Sequence, residues 1–381
     1  MSVALQDRLV AAGFAFRGYN VTNLGRSAEL LAHSVYASTV TRYLREASAI
    51  CAETMHQPVD LVERVRSGRE STLDTFPEDI GLIIAMELAQ LDLLHQFFGI
   101  EYSQARLGVG YSLGEIAALV AGGVFRIEDV LRPLVTLAPD CADLARDTTM
   151  GVVFSRGPAL DVDAINRLCL HITSENRGMI AISSYLSPNT VLVIGQNDTV
   201  DRFRALAPEF TKTPLTVRKN NSRWPPLHTS LLWQKNITNR ASVMMASMPG
   251  GFRVPHPPVL SLVTGKMNYN DFNSREMLSR WLDQPQRLWD AIYELLSIGI
   301  EVLIHVGPDP NLIPATFKRL SDNITAQFRG TRFTRLRMST MRGIGTRAWL
   351  HKVLPARVAL LRAPFVTHII LEDWLLEQPL P

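Results

Sequence analysis

Residues 105–124 read Ala-Arg-Leu-Gly-Val-Gly-Tyr-Ser-Leu-Gly-Glu-Ile-Ala-Ala-Leu-Val-Ala-Gly-Gly-Val. Ala105 to Tyr111 predicts a short apolar strand, and Glu115 to Ala121 a helix rich in alanine. Between them, Gly110-Tyr111-Ser112-Leu113-Gly114 fits a G-x-S-x-G elbow. A serine on such a sharp strand-to-helix turn is lifted clear of the backbone, and the helix N-terminus behind it favours developing negative charge. The pentapeptide alone is a weak signal, because short Gly/Ser patterns are usually just tight turns. Its strand and helix give it meaning.

The same alternation runs outward from the elbow. Upstream, FAFRGYNVTNLG at residues 14–25 reads as a strand entering a Gly/Asn turn, with a helix expected through about Leu44. Asp79 to Phe98 reads as a long apolar helix ended by Gly99. Such alternation implies a parallel sheet covered by helices. From Thr149 to Val217 the order becomes β-α-β-β-α-β, a ferredoxin-like arrangement. The chain then returns to strand-like Val259–Val263, a helix near Asp290–Ser297, and strand-like Val302–Val306. The expected fold is an α/β-hydrolase-like large domain with a parallel-sheet core and an inserted ferredoxin-like small subdomain. Its boundaries are 1–148 and 221–332 for the large domain, 149–220 for the subdomain, and 333–381 for a basic C-terminal extension.

Composition narrows the function classes. With 46% hydrophobic and 20% charged residues, the chain is neither disordered nor fibrous. A net charge of +3 with no nucleic-acid-binding motif gives no reason to expect nucleic acid as a partner. Cys51, Cys141 and Cys169 are isolated, so neither a disulfide framework nor a zinc site is suggested. The N-terminus lacks a signal-peptide pattern, and the longest apolar segment, Ile80–Phe98, carries Glu87, Gln90, Asp92 and His95. A cytoplasmic protein that does not engage a membrane is expected. No metal or dinucleotide signature is visible. Between Arg329 and Arg362 the chain carries nine Arg or Lys and no acidic residue, a candidate face for an acidic partner.

Residues 110–124, GYSLGEIAALVAGGV, resemble the G-H-S-L-G-E-x-x-A-L-x-x-A-G motif of the malonyl-CoA:acyl-carrier-protein transacylases and polyketide-synthase acyltransferase domains. Further landmarks follow in order. AISSYLSPNTVLVIGQ resembles the paired strands of the family's small subdomain, and PPLHTSLL its segment holding the catalytic histidine. PPVLSLVTG and EVLIHVGPDPNLI resemble two later landmarks, and the resemblance spans about residues 14 to 320. It implies Ser112 as nucleophile and His228 as base, with the second imidazole nitrogen held by a backbone carbonyl near Trp281. The backbone N–H groups of Leu113 and Tyr19 would bind the oxyanion. No tightly bound cofactor is implied. The thioester substrate would be carried by CoA or by a phosphopantetheinyl acyl carrier protein, the latter also the expected partner.

The departures bear on substrate. The family's F-P-G-Q-G turn is here Phe16-Arg17-Gly18-Tyr19-Asn20, Tyr111 replaces the histidine before the serine, and Trp281 replaces a pocket glutamine. Leu137 stands where an arginine would clamp the malonyl carboxylate, and Arg132 lies on another helix face. Tyr111, Leu137, Trp281 and Leu227 are expected to line the substrate pocket. Burying a carboxylate without its arginine costs more than the pair's ~2 kcal/mol, so the acyl group is expected to be uncharged. Two alternatives keep the same fold: a hydrolase that resolves the acyl-enzyme with water, and a non-catalytic carrier-protein-binding scaffold.

Overall fold

The computed structural model describes residues 5–328 and 357–379. Its strands are β1 (Ala12–Phe16), β2 (Leu107–Gly110), β3 (Thr148–Phe154), β4 (Ile180–Ser187), β5 (Thr190–Gln196), β6 (Thr216–Lys219), β7 (Val259–Leu260), β8 (Val302–Val306) and β9 (Thr367–Ile370). Five of them form an all-parallel sheet in the order β7-β2-β1-β8-β9. The other four form an antiparallel sheet in the order β4-β5-β3-β6, with two helices packed on it. This is the ferredoxin-like subdomain expected from the sequence, set into a parallel α/β domain.

The large sheet is covered on both faces, and its strands read accordingly. Every residue of β1 is buried. Phe14 and Phe16 point to one face, against the edge of Tyr102 at ring distances of 5.2 and 5.5 Å. Ala15 belongs to the apolar layer on the other face, with Leu303 and the Leu288–Ser297 helix. Parallel strands buried on both faces lose the polar alternation of a one-sided sheet.

The Phe76–Phe98 helix shows how local chemistry sets an element's limits. Pro77 stands in its first turn, Glu78 and Asp79 meet the positive end of the dipole, and Gly99 closes it at φ +64°. Among the described residues it is the one helix long and apolar enough to cross a membrane. Here it packs against the Ala37–Met55 and Ile127–Ala145 helices inside the core.

Several sequence expectations move. The helix expected to run to Leu44 is two, Ser27–Ala32 and Ala37–Met55. His33 makes the break: its Nδ1 lies 3.3 and 3.4 Å from the Val35 and Tyr36 amides, and its ring stacks on Tyr36. The last strand of the subdomain begins at Thr216 and not at Phe210, because the preceding helix runs through Phe210. Of the segment set apart from 333 onward, residues 357–379 are described, and they pack on the large domain. Thr367–Ile370 pairs with β8 as an edge strand, and Leu371 and Leu375 of the helix that follows are fully buried. Arg362, counted from sequence in the basic face, is buried and donates to the Leu296 carbonyl oxygen at 3.2 Å. The basic run from Arg329 to Lys352 lies outside the described residues.

Candidate active site

Ser112 sits at the end of β2, immediately before the Leu113–Ala121 helix, with φ +53° and ψ −120°. Few non-glycine residues adopt such a backbone, and a strained serine between strand and helix is the signature of a nucleophile elbow. The flanking glycines are a steric requirement: a Cβ on Gly110 would lie 2.0 Å from the Gly114 carbonyl carbon. Ser112 is held at both ends of its backbone. Its N–H donates to Gln286 Oε1 at 3.2 Å, and its carbonyl oxygen accepts from the Trp281 indole at 3.0 Å.

His228 Nε2 lies 2.7 Å from Ser112 Oγ, and His228 Nδ1 lies 2.7 Å from the Trp281 carbonyl oxygen. A carbonyl only accepts, so Nδ1 carries the proton and Nε2 is the lone pair facing the serine. The His228 amide donates to the next carbonyl, that of Leu282, at 2.6 Å. Trp281 and Leu282 close the Ser274–Asp283 helix. The last carbonyls of a helix have no partner within it and form the negative end of its dipole. One helix end therefore satisfies both the backbone and the ring of His228, in the place where a triad would put a carboxylate. Burial pushes the His228 pKa down to about 4, opposed by the bond to Trp281.

A small cavity opens beside Ser112. Leu134, Leu137, Ala138 and Cys141 line one wall. Their spacing puts them on a single face of the Ile127–Ala145 helix. Tyr19, Phe76, Ile80, Leu227, Trp281 and Leu282 complete the wall. Among the described residues no charged side chain lines it. Arg132 projects elsewhere and pairs with Glu53 at 2.9 Å. Arg64, a buried cation whose field reaches Tyr19, is tied to Asp79 and Glu78. Burial raises the Cys141 thiol to about 12, so it behaves as an apolar wall.

Tyr111 is not part of this cavity. It lines a second one of about 130 Å³, beside Gly18, Tyr19, Trp224 and His305, with Met150 and Leu192 of the small subdomain. The structure thus brings Ser112, His228, Leu113, Tyr19, Leu137, Trp281 and Leu227 together, and puts Tyr111 in the second cavity, which Tyr19 also lines.

Sequence reasoning missed Gln286. Its side chain caps the Ser112 amide and its Nε2 lies 3.3 Å from His228 Nδ1. Its backbone joins the edge of β4: Tyr185 N–H and Ser184 Oγ donate to its carbonyl oxygen, and its N–H donates to Ser183 O. A lone glutamine in Gln284-Pro285-Gln286 carries no motif, and only the tertiary fold gives it a role. Among the described residues no cluster of three or more His, Cys, Asp or Glu is placed to hold a metal ion.

No protein-family model matches the chain. Among curated proteins, the spectinabilin polyketide synthase system protein NorB of Streptomyces orinoci is 24% identical over 307 residues, which are 79% of this chain and 13% of that protein. The malonyl CoA-acyl carrier protein transacylase of Bacillus subtilis is 23% identical over 221 residues, 57% of this chain and 51% of the relative. The matched stretches thus span about half or less of those relatives' own length. Among solved structures, FabD of Acinetobacter baumannii aligns with a TM-score of 0.62 at 22% identity, covering 80% of this chain and 89% of that one. The transacylase in a complex titled as a type II polyketide-synthase acyl-carrier protein with its malonyl-transacylase aligns at 0.61 and 20% identity, covering 80% and 91%. The chain has the fold of these transacylases, and the resemblance read from its motifs holds in both comparisons.

Proposed function

We propose that this chain is a serine acyltransferase that moves a small uncharged acyl group between thioesters of CoA or an acyl carrier protein through an acyl-Ser112 intermediate. The observation that carries the reading is the Ser112–His228 pair, at 2.7 Å, standing over a cavity that the described residues line mostly with apolar side chains. His228 Nε2 takes the Ser112 proton as Oγ attacks the thioester carbonyl. The imidazolium is stabilised through Nδ1–H by the carbonyl end of the Ser274–Asp283 helix. The oxyanion meets the Leu113 and Tyr19 N–H groups, and on collapse the C–S bond breaks while His228 returns the proton to the leaving thiolate. A second thiol, deprotonated by His228, reverses these steps on the ester.

The two cavities divide the substrate. In the cavity beside Leu137 a carboxylate finds no charged partner among the described residues, whereas an acetyl methyl needs none. The wider cavity between Tyr111 and the small subdomain would take the arm of the thioester. Carrier-protein delivery is supported by the fold shared with a transacylase solved in complex with its carrier.

Intact-mass measurement after incubation with acetyl- and malonyl-CoA tests the reading. Acetyl addition to a Ser112-containing peptide, lost in Ser112→Ala, is expected to outpace malonyl addition. A tenfold malonyl preference would overturn the uncharged-acyl assignment, and absence of any acyl-Ser112 the acyltransferase itself. Loss of the acyl group to water faster than to a thiol acceptor would make the protein a hydrolase.

A further inference from the structure

Arg17 is a buried cation one residue from the Gly18–Tyr19 peptide, in a turn where the resembled family has proline. Its Nε–H donates to the Gly18 carbonyl oxygen at 2.7 Å. The rest of the guanidinium is fully engaged with two loops: Nη1 with the Pro308 and Thr22 carbonyl oxygens, and Nη2 with Thr22 O and with Asn23 Oδ1 at 2.7 Å. Asn23 is itself fixed, its Oδ1 accepting from Asn20 N and its amide donating to Asn20 O and Ser71 Oγ. The guanidinium therefore cannot follow Gly18. Gly18 must follow it.

Gly18 C=O and Tyr19 N–H are the two poles of one planar trans peptide and point in opposite directions. Fixing the oxygen fixes the hydrogen. Gly18 also packs against the nucleophile, since a Cβ placed on it would lie 3.2 Å from Ser112 Cβ and 2.7 Å from the Tyr111 carbonyl oxygen. A cation on the oxygen end of an amide draws electron density from the nitrogen and strengthens N–H as a donor. Burial pulls the Arg17 pKa below its ordinary value, and buried Glu87 nearby opposes that shift.

We infer that Arg17 is a positioning residue for catalysis: it aims and polarises the Tyr19 N–H that receives the oxyanion. The inference rests on the acyl-transfer reading above. The proline of the family's turn offers no such donor, so this chain fixes the peptide in its own way.

The test compares Arg17→Gln with Arg17→Met. Both lose every bond to Pro308, Thr22 and Asn23, but the glutamine amide nitrogen falls where Arg17 Nε lies and can still donate to Gly18 O, whereas methionine cannot. With acetyl-CoA as donor, Arg17→Met is expected to lower kcat about 100-fold with KM within twofold of wild type, and Arg17→Gln to recover at least tenfold of that loss. The carbonyl stretch of acetyl-Ser112 in infrared difference spectra should move to higher frequency in Arg17→Met, as its hydrogen bond weakens. Should Arg17→Met not fold, Arg17→Lys takes its place with the same expectation, because it keeps the cation but has carbon at the ε position. Equal kcat in the glutamine and methionine (or lysine) variants, or an unmoved carbonyl band, would overturn the inference. No acetyl-Ser112 in the wild type would instead overturn the acyl-transfer reading on which it stands.

Discussion

The relay at Ser112 and the cavity beside it are built from different parts of the chain. Around the relay the decisive partners are backbone groups: the Trp281 and Leu282 carbonyls hold His228, and the N–H groups of Leu113 and Tyr19 are those proposed for the oxyanion. The cavity is made of side chains, among them Leu134, Leu137, Ala138 and Cys141. Backbone groups survive substitution of the residues that carry them. Side chains do not, and in this chain the departures from the transacylase pattern fall on side chains while the geometry of the relay is complete.

That contrast can be broken most forcefully at the relay. His228→Ala should slow formation of acyl-Ser112 at least about 10³-fold, measured by quenched-flow mass spectrometry. Trp281→Gln keeps the carbonyl and loses the indole bond to Ser112 O together with the ring's place in the cavity wall and against His228, so it should cost far less than His228→Ala, about tenfold. A Trp281→Gln loss as large as that of His228→Ala would show that the side chain, and not the helix end, carries the relay.

The cavity gives a smaller and more selective effect. Leu137→Arg should shift the malonyl-to-acetyl ratio of acylation rates toward malonyl by at least about tenfold, equivalent to ~1.4 kcal/mol. An unchanged ratio in a folded variant would place selectivity elsewhere than on this wall.

The smallest effect is that of pH. The folded-state pKa of His228 is pushed down to about 4, from an ordinary value of 6.5, and the neutral form is the base. Acylation should therefore lose less than about twofold between pH 7 and pH 5 and fall steeply only near pH 4. An acid limb near 6.5 would show that the ring is solvated and that the buried relay does not describe the working enzyme.

Legibility in the sequence follows the same division. Val302–Val306 was readable to the residue, because a buried parallel strand is a plain apolar run. Ser112, His228 and the Trp281 carbonyl were readable because the elbow and its companion motifs are local. Leu137 could be placed by counting from the serine, and the spacing of Leu134, Leu137, Ala138 and Cys141 puts it on the cavity face of its own helix, Ile127–Ala145. Gln286 could not, because its role exists only where β4, the nucleophile and His228 meet. The edge strand Thr367–Ile370 was unreadable for a similar reason: four residues with two exposed side chains carry no strand pattern until β8 supplies the hydrogen bonds.

The order of strands in the large sheet also sets a timetable. β3 through β6 are neighbours along the chain and pair with one another, so the small subdomain can close as soon as residues 148–219 have been made. The central strand β1 must wait for β8 at 302–306, and the sheet stays open at that side until 367–370 arrive. Contacts so distant in sequence pay their loop-closure entropy late. Ser112 and His228, 116 residues apart, are brought together only when the Ser274–Asp283 helix has supplied its carbonyls. A chain emerging from the ribosome would thus carry a finished subdomain long before it carried a nucleophile with a base.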